Sequence, residues 1–368
     1  MSLLGEINDK ATARGVALAA HVDITWRCNE RCEHCYLDHD GKGEMTTGEI
    51  KDVLRQLADC GTFFLSISGG EPLRRRDCFE ILECARALRF NVKLKTNAVM
   101  IGPEEAARIR KLGIEQVQIS LYSHRPEVHD AITKLPGSMR RTTDAIRHLK
   151  ANGVKVSITD VLMKHNHRDA KAVKRLAEEL GVSFHVDPTI TPMLNGDRSI
   201  MSLGITPAEL EEIMHAEEFV GDVGEFCGPV STVDDDIDDI LDGYSCSAGH
   251  TLAYISPFGD VYPCVQFPMP CGSVRKQSFR EIWYGSPAFA ELRAVHVRDL
   301  HTCSHCTHTA YCSRCPGLAY MEGDFRGASS ADCQKSYART GIPAPAMSRT
   351  GNRIPQAAAG LVRISGLQ

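Results

Sequence analysis

Along the first half of the chain, short runs rich in Val, Ile and Phe alternate with longer stretches whose apolar residues recur at helical spacing. The short runs predict strands at His21–Thr25, Phe63–Ser68, Val92–Thr96, Gln116–Leu121, Val154–Leu162 and Ser183–Asp187. Between the first two, Ile50, Val53, Leu54, Leu57 and Ala58 fall on one helical face, with Thr46 or Thr47 placed to cap it and Gly61 to stop it. Similar stripes recur at Phe79–Leu88, Ile146–Leu149 and Val173–Leu180. Six strands joined by crossover helices predict a parallel α/β sheet, in which ligands bind at the carboxyl ends of the strands.

This pattern fades near Thr206. A helix is expected over Pro207–Glu218, and the acidic run Asp234–Asp239 reads as a solvated linker or helix start. Glu217, Glu218 and these aspartates are candidate proton acceptors only by residue type. From Ser245 the chain becomes cysteine-rich, and from Gly341 it runs into a tail of Pro, Ala, Ser and Gly that reads as disordered. The expected organisation is an N-terminal extension 1–20, a barrel-like core 21–205, a linker 206–243, a cysteine-rich domain 244–340 and a tail 341–368.

Charge and composition narrow the class. With 42 Lys and Arg against 47 Asp and Glu, the formal charge of −5 offers no basic field for nucleic acid. No apolar run approaches the ~20 residues of a membrane span, and Met1–Ala20 lacks the pattern of a signal peptide, so a cytoplasmic setting is expected. There, 15 cysteines argue for metal ligation over disulfides. Cys60, Cys78 and Cys84 fall in helical patterns and read as small buried hydrophobes.

Cys28, Cys32 and Cys35 follow the first strand directly. Three thiolates on one tight loop can hold three irons of a cubane and leave the fourth open to a small molecule, although a zinc knuckle also uses closely spaced cysteines. Ser68-Gly69-Gly70-Glu71-Pro72 ends the second strand, where two glycines allow close backbone approach and Glu71 can accept from an ammonium. The same run can serve as a plain strand-ending turn.

The loop Cys28-Asn-Glu-Arg-Cys32-Glu-His-Cys35-Tyr, with the Gly-Gly-Glu-Pro run at the next strand end, resembles the signature of the radical S-adenosylmethionine (SAM) enzymes. The resemblance implies a partial (β/α)6 barrel, a [4Fe-4S] cluster held by the three cysteines, and SAM chelated to the open iron. It places cofactor contacts at His34, Tyr36, Gly69, Gly70, Glu71 and Pro72. Further contacts are implied at Thr96 and Asn97, where Ala98 replaces the usual glycine, and at Ser120. A carboxylate-binding cation is expected from Arg140 or Arg141, with Arg141 carried forward. It also implies an electron donor of the flavodoxin or ferredoxin type.

Cys246, Gly259-Asp-Val-Tyr-Pro-Cys264, Cys303, Cys306, Cys312, Cys315 and Cys333 are similar in spacing to the SPASM extension, which carries one or two auxiliary iron–sulfur clusters. By that analogy Cys303, Cys306, Cys312 and Cys333 hold one cluster and Cys246, Cys264 and Cys315 the other. Two departures stand out: a gap of two residues between Cys312 and Cys315, and no cysteine shortly before Cys246, which leaves the first cluster three-thiolate or borrowing Cys227 or Cys271. Taken alone, Cys303–Cys315 with His301, His305 and His308 equally fits a zinc ribbon.

The whole layout from Val22 to Cys333 most resembles enzymes that modify ribosomally made peptides. What this implies is hydrogen abstraction from a peptide by a 5′-deoxyadenosyl radical, carbon–carbon or carbon–heteroatom bond formation, and auxiliary clusters that accept the released electron. About twenty residues before the first strand leave little room for a fused leader-binding domain, so a separate leader-peptide-binding protein or direct recognition is expected. Tetrapyrrole side-chain enzymes share the layout. So do sulfatase-maturating enzymes, although Val265 stands where those place an aspartate. A zinc-stabilised scaffold is the non-enzymatic alternative.

Overall fold

In a helix-covered parallel sheet buried on both faces, strands read as continuous apolar runs. Here they alternate. The computed structural model, which describes residues 3–219, 237–309 and 312–340, shows why. Strands β1 (Ala19–Thr25), β2 (Phe64–Gly69), β3 (Asn91–Thr96), β4 (Gln116–Ser120), β5 (Val156–Val161) and β6 (Ser183–Asp187) pair in sequence order, all parallel. They form a partial barrel. One face of each strand, including Val22, Leu65, Ile67, Val92, Leu94, Val117, Ile119 and Ile158, packs on helices in a single large core. The other face lines the lumen with His21, Asp23, Ser66, Ser68, Lys93, Lys95, Gln118, Ser120, Thr159, His185 and Asp187. Register brings Asp23 beside Ser68, Lys95 beside Gln118 and Thr159 beside His185.

The crossover helices lie where periodicity expects them. The helix Thr47–Asp59 buries Ile50, Val53, Leu54 and Leu57 and starts with a capping box between Thr46 and Glu49, a device that stabilises a helix by ~1 kcal/mol. The helices Cys78–Ala87, Ser138–Ala151 and Ala170–Glu179 cover the other apolar stripes. Cys60 and Cys78 are buried in the same core and Cys84 packs against it.

Two expectations change. The helix from Pro207 stops at Met214, and a separate 3-10 turn spans Glu217–Phe219. More important, β1 is not an edge. Strand β7 (Leu252–Ile255) pairs parallel with it, and β8 (Asp260–Tyr262) and β9 (Gly272–Ser273) continue antiparallel, giving a nine-stranded sheet. The cysteine-rich region therefore grows out of the barrel sheet. Trp283 Nε1 donates to Gly15 O at 2.7 Å and Gln266 Nε2 to Thr191 Oγ1 at 2.7 Å, fixing it further. Cys227, Asp234–Asp236 and the tail from Gly341 lie outside the described residues, while the rest of the acidic run enters a helix at Ile237–Asp242.

Among the described residues, no helix is long and apolar enough to cross a membrane.

Candidate active site

The loop carrying Cys28, Cys32 and Cys35 leaves β1 at the barrel mouth, and the end of β2 presses directly on it. Gly70 N donates to Thr25 O at 2.7 Å and Glu71 N to Arg27 O at 3.0 Å. A Cβ on Gly69 would lie 2.0 Å from Thr25 O, and one on Gly70 would lie 2.5 Å from Trp26 O. The glycines are thus required by the approach of one protein segment to another. Both also line the cavity.

Glu71 is engaged by its own chain. Its side chain is fully buried and accepts from Leu73 N at 3.0 Å, Thr96 Oγ1 at 2.8 Å and Asn97 N at 2.8 Å. With three donors of its own chain, the carboxylate braces the end of β3 and does not line the cavity, nor does Pro72. Asn97 passes the brace on, donating through Nδ2 to Asn29 Oδ1 at 2.9 Å and to Cys28 Sγ at 3.7 Å. Arg141 is also off the cavity wall: exposed, it donates to Gly137 O at 3.2 Å and Pro136 O at 3.1 Å.

A cavity of about 200 Å³ remains, ringed by Cys28, Cys32, Cys35, His34, Tyr36, Gly69, Gly70, Thr96, Asn97 and Ser120. Glu30, Tyr122 and Lys95 also face it, and none was expected. Burial first, then neighbouring anions, pushes the Cys28 thiol up to about 12 and the Cys35 thiol to about 11. Cys32 is raised likewise, and burial lifts Glu30 to about 7. A cationic iron–sulfur core would displace the protons of these thiols and be held by the thiolates. Buried Glu30 Oε1 and His34 Nδ1 have no hydrogen-bond partner, and burial lowers His34 to about 4, so it faces the cavity as neutral imidazole. Among the described residues no three His, Cys, Asp or Glu side chains gather as a single ion needs. The donor set fits a larger group ringed by thiols.

A second cavity, of about 290 Å³, is lined by Cys303, Cys306, Cys312, Cys333, His308 and Arg314 among others. His308 is buried, its Nδ1 meets Ser336 Oγ at 3.0 Å, and its Nε2 has no partner. Cys312 is raised to about 12 by burial, then by Asp332, Cys333 and Cys303. Cys315 is raised to about 12 by burial and by Asp332, with Cys246 and Cys264 among its other charged neighbours. The cysteines thus fall into two neighbourhoods. Asp332 lies between them, accepting from Cys315 N at 2.7 Å and pairing with Lys335 at 2.7 Å. Cys271 sits apart, with Arg293 as its charged neighbour.

A model described as the Radical SAM superfamily matches residues 22–180, and one described as an iron–sulfur cluster-binding domain, SPASM, matches residues 246–316. The chain is 30% identical over 327 residues to the AdoMet-dependent heme synthase of Methanosarcina barkeri, covering 82% of this chain and 92% of that protein. It is 29% identical over 347 residues to the mycofactocin maturase MftC of Mycobacterium ulcerans, covering 90% of each. The structure of Streptococcus suis SuiB bound to S-adenosylmethionine superposes with a TM-score of 0.70 at 18% identity, over 87% of this chain and 78% of that one, a likeness of fold.

Proposed function

This chain belongs to the radical SAM superfamily and carries a SPASM domain, and from that premise we propose that it modifies a ribosomally made peptide. One observation carries the chemistry: three thiols, two glycines and the polar ends of β3 and β4 ring one cavity at the carboxyl end of the sheet. The mycofactocin maturase, alike over 90% of both chains, supports a peptide as substrate.

When bound, the cluster and SAM supply a 5′-deoxyadenosyl radical that takes a hydrogen atom from the substrate. Cys28, Cys32 and Cys35 would hold three irons of this cluster. Gly69 and Gly70 offer backbone to the methionine end, while Thr96, Asn97 and Ser120 supply polar contacts along the cavity wall. Neutral His34, edge-on to Tyr122 at 4.7 Å, and Tyr36 line that wall. Cys303, Cys306, Cys312 and Cys333 fit one auxiliary cluster, and Cys246, Cys264 and Cys315 fit another with an open or non-cysteine position. The domains are taken as 21–205, 206–243 and 244–340. A flavodoxin or ferredoxin-type protein would deliver the electron, and a small leader-binding protein would present the peptide.

A second reading, modification of tetrapyrrole side chains, has its own support in the 30% identity to a heme synthase. Anaerobic incubation with SAM, a strong reductant and either a precursor peptide encoded beside the gene or an iron porphyrin separates them. Loss of two hydrogens from the peptide supports the first; loss of carbon dioxide from the porphyrin alone replaces it with the second.

A further inference from the structure

The cavity ringed by Cys303, Cys306, Cys312 and Cys333 has two further groups of note in its wall, Arg314 and His308. Both side chains are buried.

Arg314 stands between Cys312 and Cys315 in the chain, and its guanidinium is fixed by neutral partners. Nε donates to Gly327 O at 2.8 Å, Nη2 donates to Gly327 O at 2.6 Å and to Phe325 O, and Nη1 reaches Ser245 Oγ at 3.4 Å. Carbonyls and a hydroxyl hold the group without removing its charge. Among the described residues that line the cavity, no Asp, Glu or Lys joins it. Asp332 acts on Cys303 and Cys312 without lining the cavity, and it is itself paired with Lys335 at 2.7 Å and bonded by Cys315 N at 2.7 Å. The guanidinium is therefore addressed to the thiols. Of the charges around Cys303 its effect is the largest, and it opposes the rise that burial causes.

His308 adds a hydrogen. Ser336 Oγ is buried and meets His308 Nδ1 at 3.0 Å, its one partner among the described residues, so the hydroxyl proton is assigned to that contact. Thr340 Oγ1, 3.4 Å from the same nitrogen, already donates to Ser336 O at 2.9 Å. With Nδ1 accepting, the ring hydrogen sits on Nε2, which has no partner. A buried N–H without an acceptor is costly, and a sulfur of a cluster in this cavity removes that cost.

Resting on the cluster reading of this cavity, we infer that Arg314 and His308 raise the reduction potential of the centre held by Cys303, Cys306, Cys312 and Cys333. An added electron makes a thiolate-bound cluster more negative, so a fixed positive charge and an N–H at its sulfur favour the reduced form. The tuning suits an acceptor of the single electron that product formation releases. One electron enters, and no bond of the protein forms or breaks.

The test is a redox titration followed by electron paramagnetic resonance, with iron and zinc counts, in the Cys28→Ala, Cys32→Ala, Cys35→Ala protein, where only C-terminal centres remain. Arg314→Met is expected to lower one midpoint by the equivalent of a tenfold change in the reduced-to-oxidised ratio, about 59 mV for one electron, and Arg314→Lys to recover most of it. His308→Phe lowers the same midpoint by a smaller step, and His308→Gln, which keeps an N–H, lowers it less. Unchanged midpoints in Arg314→Met and His308→Phe, with iron retained, overturn the inference. So does loss of iron from His308→Phe, which would make the imidazole a ligand. Should Arg314→Met alone lose iron, the His308→Phe midpoint decides: lowered, it upholds the inference, and unchanged, it overturns it. Zinc in place of iron in the parent protein overturns the cluster reading itself, a failure that the metal counts tell apart.

Discussion

Cys28, Cys32 and Cys35 come from one short loop, whereas the second set is gathered from segments as far apart as Cys246 and Cys333. The first loop stands on a finished scaffold: an apolar core behind the sheet, the end of β2 pressed against it, and Glu71 tying in the end of β3. Of the second set, Cys246 and Cys264 pack against that same core, whereas the stretch that carries Cys303 and Cys333 has far less behind it. Cys333, Cys303 and Ala328 form a small apolar cluster of their own, so the cysteines are themselves the interior there. A barrel that folds by burying hydrocarbon can present an open site, while a region with little hydrocarbon depends on its ligands to close it.

Removing iron should split the two regions most strongly. Chelation is expected to expose 301–333 to limited proteolysis while amide protection across β1–β7 persists; equal protection of both would show that this stretch needs no metal to fold. Next in size is Glu71→Ala, which strips the acceptor from Thr96 Oγ1, Asn97 N and Leu73 N. A loss of about 3 kcal/mol in denaturant unfolding is expected, at ~1–3 kcal/mol for each stranded buried donor with partial relaxation, together with weaker SAM binding as Asn97 shifts. Unchanged stability with weakened SAM binding would return Glu71 to the ligand.

A smaller effect concerns the salt link under the loop. The Arg75 guanidinium, buried and also bonded to Ile24 O and Met45 O, holds Asp77 down to about 2 from 3.8. A lowered carboxylate contributes stability above its unfolded pKa and loses it as pH falls through the folded one. Asp77→Asn should therefore cost about 1 kcal/mol at neutral pH after solvent screening, with the gap to wild type narrowing only below about pH 4. A gap that narrows above that point would place the link elsewhere.

The six barrel strands and the long helices were legible because periodicity reports burial directly. Alternation such as Asn91-Val-Lys-Leu-Lys-Thr also held a sign of the polar lumen, since a parallel strand covered on both faces does not alternate. Strands β7–β9 were not legible: two to four residues carry no period. Single charges such as Glu30, Lys95 and Asp332 have no local signature, because their roles come from what the fold sets opposite them. The Gly-Gly-Glu-Pro run was found for its chemistry, yet its glycines and glutamate also serve contacts between β1, β2 and β3 that only three dimensions reveal.

The central claim, that Cys28, Cys32 and Cys35 hold the centre that breaks SAM, is met most directly by counting 5′-deoxyadenosine. Anaerobically reconstituted protein given SAM and a strong reductant should release it, and the Cys28→Ala, Cys32→Ala, Cys35→Ala triple variant should release none while keeping iron in the C-terminal region. Release by the triple variant, or none by the wild type, would contradict the account.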